Sequence, residues 1–251
     1  SLVGSEMCIR DRLKEGSYMI TTEKTAFVYG GKTVNNTKIP VTVVYSDDKG
    51  ENWTTCELDK IYTADYYYVK FFDSDNGVIV CGYAKSNDTN ESSRIYSTSN
   101  GGESWDIVGS GPATNIIKGV VYVSSDVGFF CYDYVEGMDS NLYKTDDGGK
   151  TFAKVMLEEQ ELDSSAANPQ GQETETKTDS GKNGADSSEQ LRWGDVYKEA
   201  LTPVVDSTGI ITIYLTQGKN AVYNDGKTAA KYQSSDKGST WKYIGQVEIK
   251  D

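Results

Sequence analysis

The sequence predicts an all-β fold assembled from four-stranded antiparallel units, and three observations carry that prediction. The stretch "YSDDKGENW" (45–53) returns three times, as "YSTSNGGESW" (96–105), "YKTDDGGKTF" (143–152) and "YQSSDKGSTW" (232–241). The composition suits short strands joined by tight turns, with 25 glycines, only four prolines and 18 tyrosines in 251 residues. Between the copies of the stretch, apolar residues alternate or run in blocks of strand length.

The copies act as a ruler. They start at Ser46, Thr98, Thr145 and Ser234, with spacings of 52, 47 and 89 residues. A second landmark, a turn followed by an apolar run, precedes each later copy: "FFDSDNGVIVCGY" (71–83), "YVSSDVGFFCYDY" (122–134) and "VVDSTGIITIYL" (204–215). A weaker form without the turn glycine, "ITTEKTAFVYGG" (20–31), precedes the first. In the third unit, "NIIKGVVYVSSDVGFFCYDY" (115–134) reads as a hairpin, "NLYKT" (141–145) as a third strand and "TFAKVML" (151–157) as a fourth. Four antiparallel strands recurring every ~40–50 residues describe the blade of a β-propeller. A blade cannot bury both faces alone, so neighbours must stack on it.

The elements follow in order. Residues 1–13 open with "SLVGSEMCIRDR", which has no strand alternation and no signal-peptide apolar run; it resembles translated sequencing-adapter read-through and is read as a non-native leader. Residues 14–157 are assigned to blades carrying the boxes 46–53, 98–105 and 145–152. The long gap that follows exceeds the usual spacing by too little for a hidden blade, so residues 158–190 are read as a disordered acidic insertion. It has nine acids against two lysines and no aromatic. Residues 191–251 form a further blade, with its box at 234–241.

Every position of the repeated stretch has a structural use. The acid or amide (Asp48, Asn100, Asp147, Asp236) accepts backbone N–H groups of the turn that follows. The hydroxyl two residues earlier (Ser46, Thr98, Thr145, Ser234) ties the incoming strand. The glycine two residues later (Gly50, Gly102, Gly149, Gly238) takes a positive φ at little steric cost. The aromatic (Trp53, Trp105, Phe152, Trp241) opens the next strand and buries apolar area. Asparagine at position 100 fits a hydrogen-bond acceptor better than a metal ligand or catalytic acid.

These four segments resemble the Asp-box, or BNR, repeats of the sialidase-like β-propeller superfamily. The resemblance spans residues 14–251 apart from the insertion. It implies that the box joins the third and fourth strands of a blade, at the periphery and away from the binding face. It also implies a ring of about six to eight blades, of which this chain would hold four, as a fragment. The wording of the boxes is closer to non-catalytic relatives, namely photosystem-assembly factors, sortilin-type receptors and bacterial surface propellers.

The enzymatic alternative is a fragment of an exo-sialidase-like glycoside hydrolase whose catalytic arginines lie in missing blades. The resemblance implies three arginines for the substrate carboxylate, a Tyr–Glu nucleophile pair and an acidic general acid/base. The chain has four arginines: Arg10 and Arg12 in the leader, Arg94 before the second box and Arg192 beside the insertion. These do not assemble a triad, and no catalytic residue is assigned. With no histidine, a net charge of −13 and no CxxC pair among Cys8, Cys56, Cys81 and Cys131, no cofactor, metal or nucleic-acid partner is expected. No apolar run reaches the ~20 residues of a membrane-spanning helix.

The expected function is therefore non-catalytic recognition of protein or carbohydrate, outside the cytoplasm or at the surface of a bacterium. The candidate ligand-binding residues are Tyr66, Tyr68 and Lys70, on one face of "ADYYYVKFF" (64–72), the expected first strand of its blade. Packing between blades is the competing use of the same face.

Overall fold

Each unit is an antiparallel meander in the computed structural model, which describes residues 14–58, 64–83, 93–113, 115–162, 192–218 and 223–249. The leader and most of the insertion lie outside the described residues. The first sheet runs β1 (Tyr18–Ile20), β2 (Thr25–Tyr29), β5 (Thr42–Ser46) and β6 (Thr54–Glu57). A separate hairpin, β3 (Lys32–Val34) and β4 (Thr37–Ile39), grows from the connection between its two central strands. Its turn uses Asn35 and Asn36 at φ 49° and 64°, a conformation asparagine accepts more readily than most residues.

The second sheet runs β7 (Tyr66–Phe71), β8 (Gly77–Gly82), β9 (Ser93–Thr98) and β10 (Asp106–Ser110). The third runs β11 (Ile117–Tyr122), β12 (Gly128–Tyr132), β13 (Leu142–Thr145) and β14 (Ala153–Lys154). β14 is shorter than the sequence suggests, although the Val155 amide still donates to Leu142 O at 2.9 Å.

In the fourth sheet the first strand is broken into β15 (Glu199–Ala200) and β16 (Val204–Val205), which both pair with β17 (Ile211–Thr216). Pro203 lies in the break, where it brings no N–H to the ladder. β18 (Thr228–Ser234) and β19 (Lys242–Glu248) complete the sheet. A short helix, α1 (Trp193–Val196), precedes it.

The sheets stack in chain order, in a partial propeller-like arrangement. Ala26, Val28, Val43 and Tyr45 of the first meet Val69, Phe71, Ile79 and Tyr96 of the second. Val78, Val80 and Ile95 turn the other way, onto Val120, Tyr122 and Phe130 of the third. Phe129, Cys131 and Leu142 face Ala200, Ile211 and Ile213 of the fourth. The neighbours Phe129 and Phe130 thus serve opposite interfaces, both fully buried, each contributing ~2–3 kcal/mol by burial. This is why β8 and β12 are buried along their whole length, as strands covered on both faces must be.

The two ends of the stack differ. The outer face of the fourth sheet, with Ala230 and Tyr232, is covered by Trp193, Val196 and Tyr197, joined by Leu157 and Leu162. The Tyr232 hydroxyl donates to Glu158 O at 2.7 Å, so residues 158–162, at the start of the expected insertion, lie on the sheet. Among the described residues, no core cluster covers the outer face of the first sheet. Among the described residues, no core cluster joins the first sheet to the fourth.

Candidate binding site

The four repeated loops occupy equivalent places. Each follows the third strand of its sheet, which ends on Ser46, Thr98, Thr145 or Ser234, and precedes the fourth. Inside each loop the hydroxyl donates to the acid or amide oxygen at 2.7–2.8 Å. The same hydroxyl oxygen accepts the backbone N–H of Gly50, Gly102, Gly149 or Gly238 at 2.8–3.0 Å. The hydroxyl therefore spans the loop and does not hold the incoming strand as expected.

The acid or amide accepts the amide N–H four residues on, from Asn52, Ser104, Thr151 or Thr240, at 2.8–3.1 Å. The side chains of those same residues close the ring: Asn52 and the two threonines donate to the second carboxylate oxygen, and Ser104 accepts from the Asn100 amide. Sequence reasoning passed over this position. Its signal was a polar residue directly before each aromatic.

Electrostatics follow from this wiring. The Asn52 backbone and side chain, with the Ser46 hydroxyl, hold the Asp48 carboxyl down to about 2. Thr151 and Thr240 push Asp147 and Asp236 in the same direction. The three carboxylates are fixed as anions, with both oxygens already engaged. The "DSDNG" turn behaves alike, because Asp73 accepts the amides of Asp75 and Asn76 and the Asn76 side chain.

The loops also press on the preceding sheet. A methyl group added at Gly102 would lie 3.2 Å from Tyr45, one at Gly149 2.8 Å from Ile95, and one at Gly238 2.5 Å from Phe129. Trp105 and Phe152 join the clusters shared with the preceding sheets, and Trp241 meets Phe129 edge-on at 6.0 Å. In the first loop, Gly50 faces only Trp53 of the same loop.

Tyr66, Tyr68 and Lys70 do lie on one face of β7, and that face meets the third sheet. The Tyr66 hydroxyl accepts the Val120 amide at 2.8 Å and the Tyr68 hydroxyl accepts the Tyr122 amide at 3.0 Å. Lys70 Nζ donates to Tyr122 O at 2.6 Å. Burial pushes the Tyr68 hydroxyl up to about 12 and lowers Lys70. The polar ends of all three are committed to the backbone of β11, the use the sequence had offered as the alternative. Lys24, which sequence reasoning missed, ties the first two sheets at their other face. It pairs with Asp47 at 2.9 Å and donates to Ser74 O and Gly101 O.

Two clefts stand out among the described residues. A cleft of ≈ 680 Å³ lies at the box end of the first two sheets, bordered by Glu23, Asp47, Asp73, Asp75 and Glu103 around the engaged Lys24. A second, of ≈ 370 Å³, lies at the opposite end, between the third and fourth sheets. Tyr134, Met138, Met156, Trp193, Arg192 and Lys198 border it. Its floor is Asn141, whose amide donates to Tyr132 O and Ala200 O and accepts the Ala200 N–H, at 2.8–2.9 Å. Three ion pairs border it, Lys198 with Glu136, Lys154 with Asp139 and Arg192 with Asp195, and Glu159 lines it as well. The second cleft mixes apolar, aromatic and charged groups of both signs. Arg94 lies on the second sheet and Arg192 beside the fourth.

No family model matches the chain, and no curated protein matches it. Among solved structures, it is similar to the GH74 enzyme of Niastella koreensis, at 16% identity over 89% of this chain and 28% of that one, with a TM-score of 0.45. It is also similar to YCF48 from Cyanidioschyzon merolae, at 10% identity over 94% of this chain and 55% of that one, with a TM-score of 0.42. A Trypanosoma rangeli sialidase in complex with difluorosialic acid aligns at 12% identity over 92% of this chain and 30% of its own, with a TM-score of 0.26. The chain therefore spans about a quarter to a half of the lengths of these structures. All three are distant likenesses, at 10–16% identity and TM-scores below 0.5.

Proposed function

We propose that this chain is a non-catalytic, propeller-like recognition module of the Asp-box kind, binding protein or carbohydrate through the end of the stack that faces away from the repeated loops. The observation that carries this reading is the saturation of the loops. Hydroxyl, carboxylate and glycine amide are spent on one another, so these polar groups serve the loops themselves rather than a ligand. The cleft between the third and fourth sheets lies at the other end and presents Tyr134, Met138 and Met156 beside Arg192 and Lys198.

Two of its three acids, Asp139 and Asp195, favour binding over hydrolysis. Lys154 holds the Asp139 carboxyl, and Arg192 that of Asp195, below the usual carboxylate range. Both therefore stay ionised at neutral pH, whereas a general acid must arrive protonated. The resemblance of the loops to those of bacterial surface propellers supports an extracytoplasmic setting.

Screening the folded protein against a glycan array and a displayed-peptide library tests this proposal. Lys198→Glu and Met138→Lys should abolish the hits while Asp147→Asn leaves them in place. Release of a fluorogenic sugar by the wild-type protein, or hits that survive both cleft variants, would overturn it.

A further inference from the structure

We propose that the cleft between the third and fourth sheets takes an uncharged, apolar stretch of a partner polypeptide rather than a sugar; this rests on the recognition reading above and narrows it to one class of ligand. A sugar brings a ring of hydroxyls, and each one buried in a cleft needs a hydrogen-bond partner. The polar side chains at the floor of this cleft are engaged within the protein. Asn141 is buried, and its amide holds Tyr132 O, Ala200 O and the Ala200 N–H. The Ser140 hydroxyl donates to Leu142 O and accepts the Leu142 amide, both at 3.1 Å. Asp139 holds Lys154, and Asp195 holds Arg192. Glu159 adds one carboxylate, beside Gly194, which is too little for the hydroxyls of a sugar ring.

A sugar also stacks best on the flat face of an exposed aromatic ring. Of the three rings that line the cleft, Trp193 and Tyr197 are 4% and 2% exposed. Their centroids lie 4.6 Å apart, and Tyr243 meets Trp193 edge-on at 5.4 Å. Both rings serve the core of the fourth sheet, which leaves Tyr134, half-buried.

What the cleft presents is thioether and methyl. Met156 is 64% exposed. Met138 is half-buried, and its sulfur accepts the Val135 amide and the Asn115 side-chain amide at 3.4 Å. Leu157 and Leu215 are partly buried beside them and join the cores on both sides of the cleft. Methionine is unbranched and polarisable, and it adapts to apolar side chains of different shape. The ion pairs at the rim set the charge of the occupant. Lys198 with Glu136, Lys154 with Asp139 and Arg192 with Asp195 cancel one another. A charged ligand has to compete with those contacts, whereas an uncharged one lies between them. Its affinity should therefore respond little to salt.

Selection of random linear peptides by the full chain, run beside a glycan array, tests this assignment. Enriched peptides should share an apolar residue such as leucine, methionine or phenylalanine, and should bind about equally at low and high sodium chloride. Met156→Lys, at an exposed position, should weaken them by about tenfold or more, while Met156→Leu keeps wild-type binding. Glycans captured by the wild type and lost in Met156→Lys would overturn this inference and leave the recognition reading standing. Peptides rich in charge, released steeply by salt, would do the same. Peptides that bind Met138→Lys and Met156→Lys as well as the wild type would remove the cleft, and both readings with it. No capture in either screen has the same consequence.

Discussion

The hydroxyl that opens each repeated loop does more than its position in the sequence suggests. Ser46, Thr98, Thr145 and Ser234 are the last residues of their strands and are buried. Each simultaneously donates to the acid or amide and accepts from the glycine amide, which satisfies a buried polar group on both sides. The roles of acid, glycine and aromatic were legible because the motif repeats four times. The partner directly before the aromatic was not, because Asn, Ser and Thr share no obvious pattern, only a side chain able to bond back to the acid or amide. The residue before each box glycine was also hidden. Lys49, Gly101, Gly148 and Lys237 all sit at φ between 58° and 76°, yet only two of them advertise it by being glycine.

The pH response belongs to this scale. Asp48, Asp147 and Asp236 have folded-state values below the ordinary carboxylate value. Their contribution is present above about pH 4 and is lost as the pH falls through the folded-state values, about 2 for Asp48 and lower still for Asp147 and Asp236. Thermal melts at descending pH should show a steep loss across that window. The triple Asp48→Asn, Asp147→Asn and Asp236→Asn variant should show a flatter one, as Asn100 already does without a charge. A triple variant as acid-sensitive as the wild type would remove the carboxylates from the explanation.

At the scale of elements, strands were legible where the period was clean. β7, β8, β11 and β12 fall where alternation and turn signals put them. The hairpin of β3 and β4 was missed although Asn35 and Asn36 mark its turn, because its strands are almost wholly exposed and carry no burial pattern. α1 was missed because four residues are too few for a helical period. Tyr66, Tyr68 and Lys70 show a different limit: alternation tells which residues share a face, not what covers it. Their hydroxyls accept backbone amides of the next sheet, so Tyr66→Phe and Tyr68→Phe should each cost about 1–3 kcal/mol by orphaning an N–H. Urea unfolding of the two variants reads this directly, and wild-type midpoints would mean that water replaces the lost oxygen.

On the scale of the molecule, the row of sheets gains its order from the boxes. Three boxes reach back onto a preceding sheet and the first does not, an asymmetry invisible in four near-identical motifs. The covered far end was equally hidden, since Leu157 and Leu162 flank a stretch whose composition reads as loop. Function is the least legible level. The repeats point to scaffold, whereas the proposed binding cleft draws on Tyr134, Met138, Met156, Trp193 and Lys198, residues scattered through the connections and sharing no motif.

The central claim is that each of the last three repeated loops staples its own sheet to the one before it, and the most direct measurement is the equilibrium unfolding free energy of Gly50→Ala, Gly102→Ala, Gly149→Ala and Gly238→Ala. All four glycines have φ between 77° and 108°, so each variant should lose about 1–2 kcal/mol to the left-handed backbone. The added methyl at Gly149 and Gly238 also meets Ile95 or Phe129, which should raise the loss by a further ~1–3 kcal/mol. Gly102 should fall between these and Gly50, which should lose least. Equal losses at all four sites, or the largest at Gly50, would contradict the account.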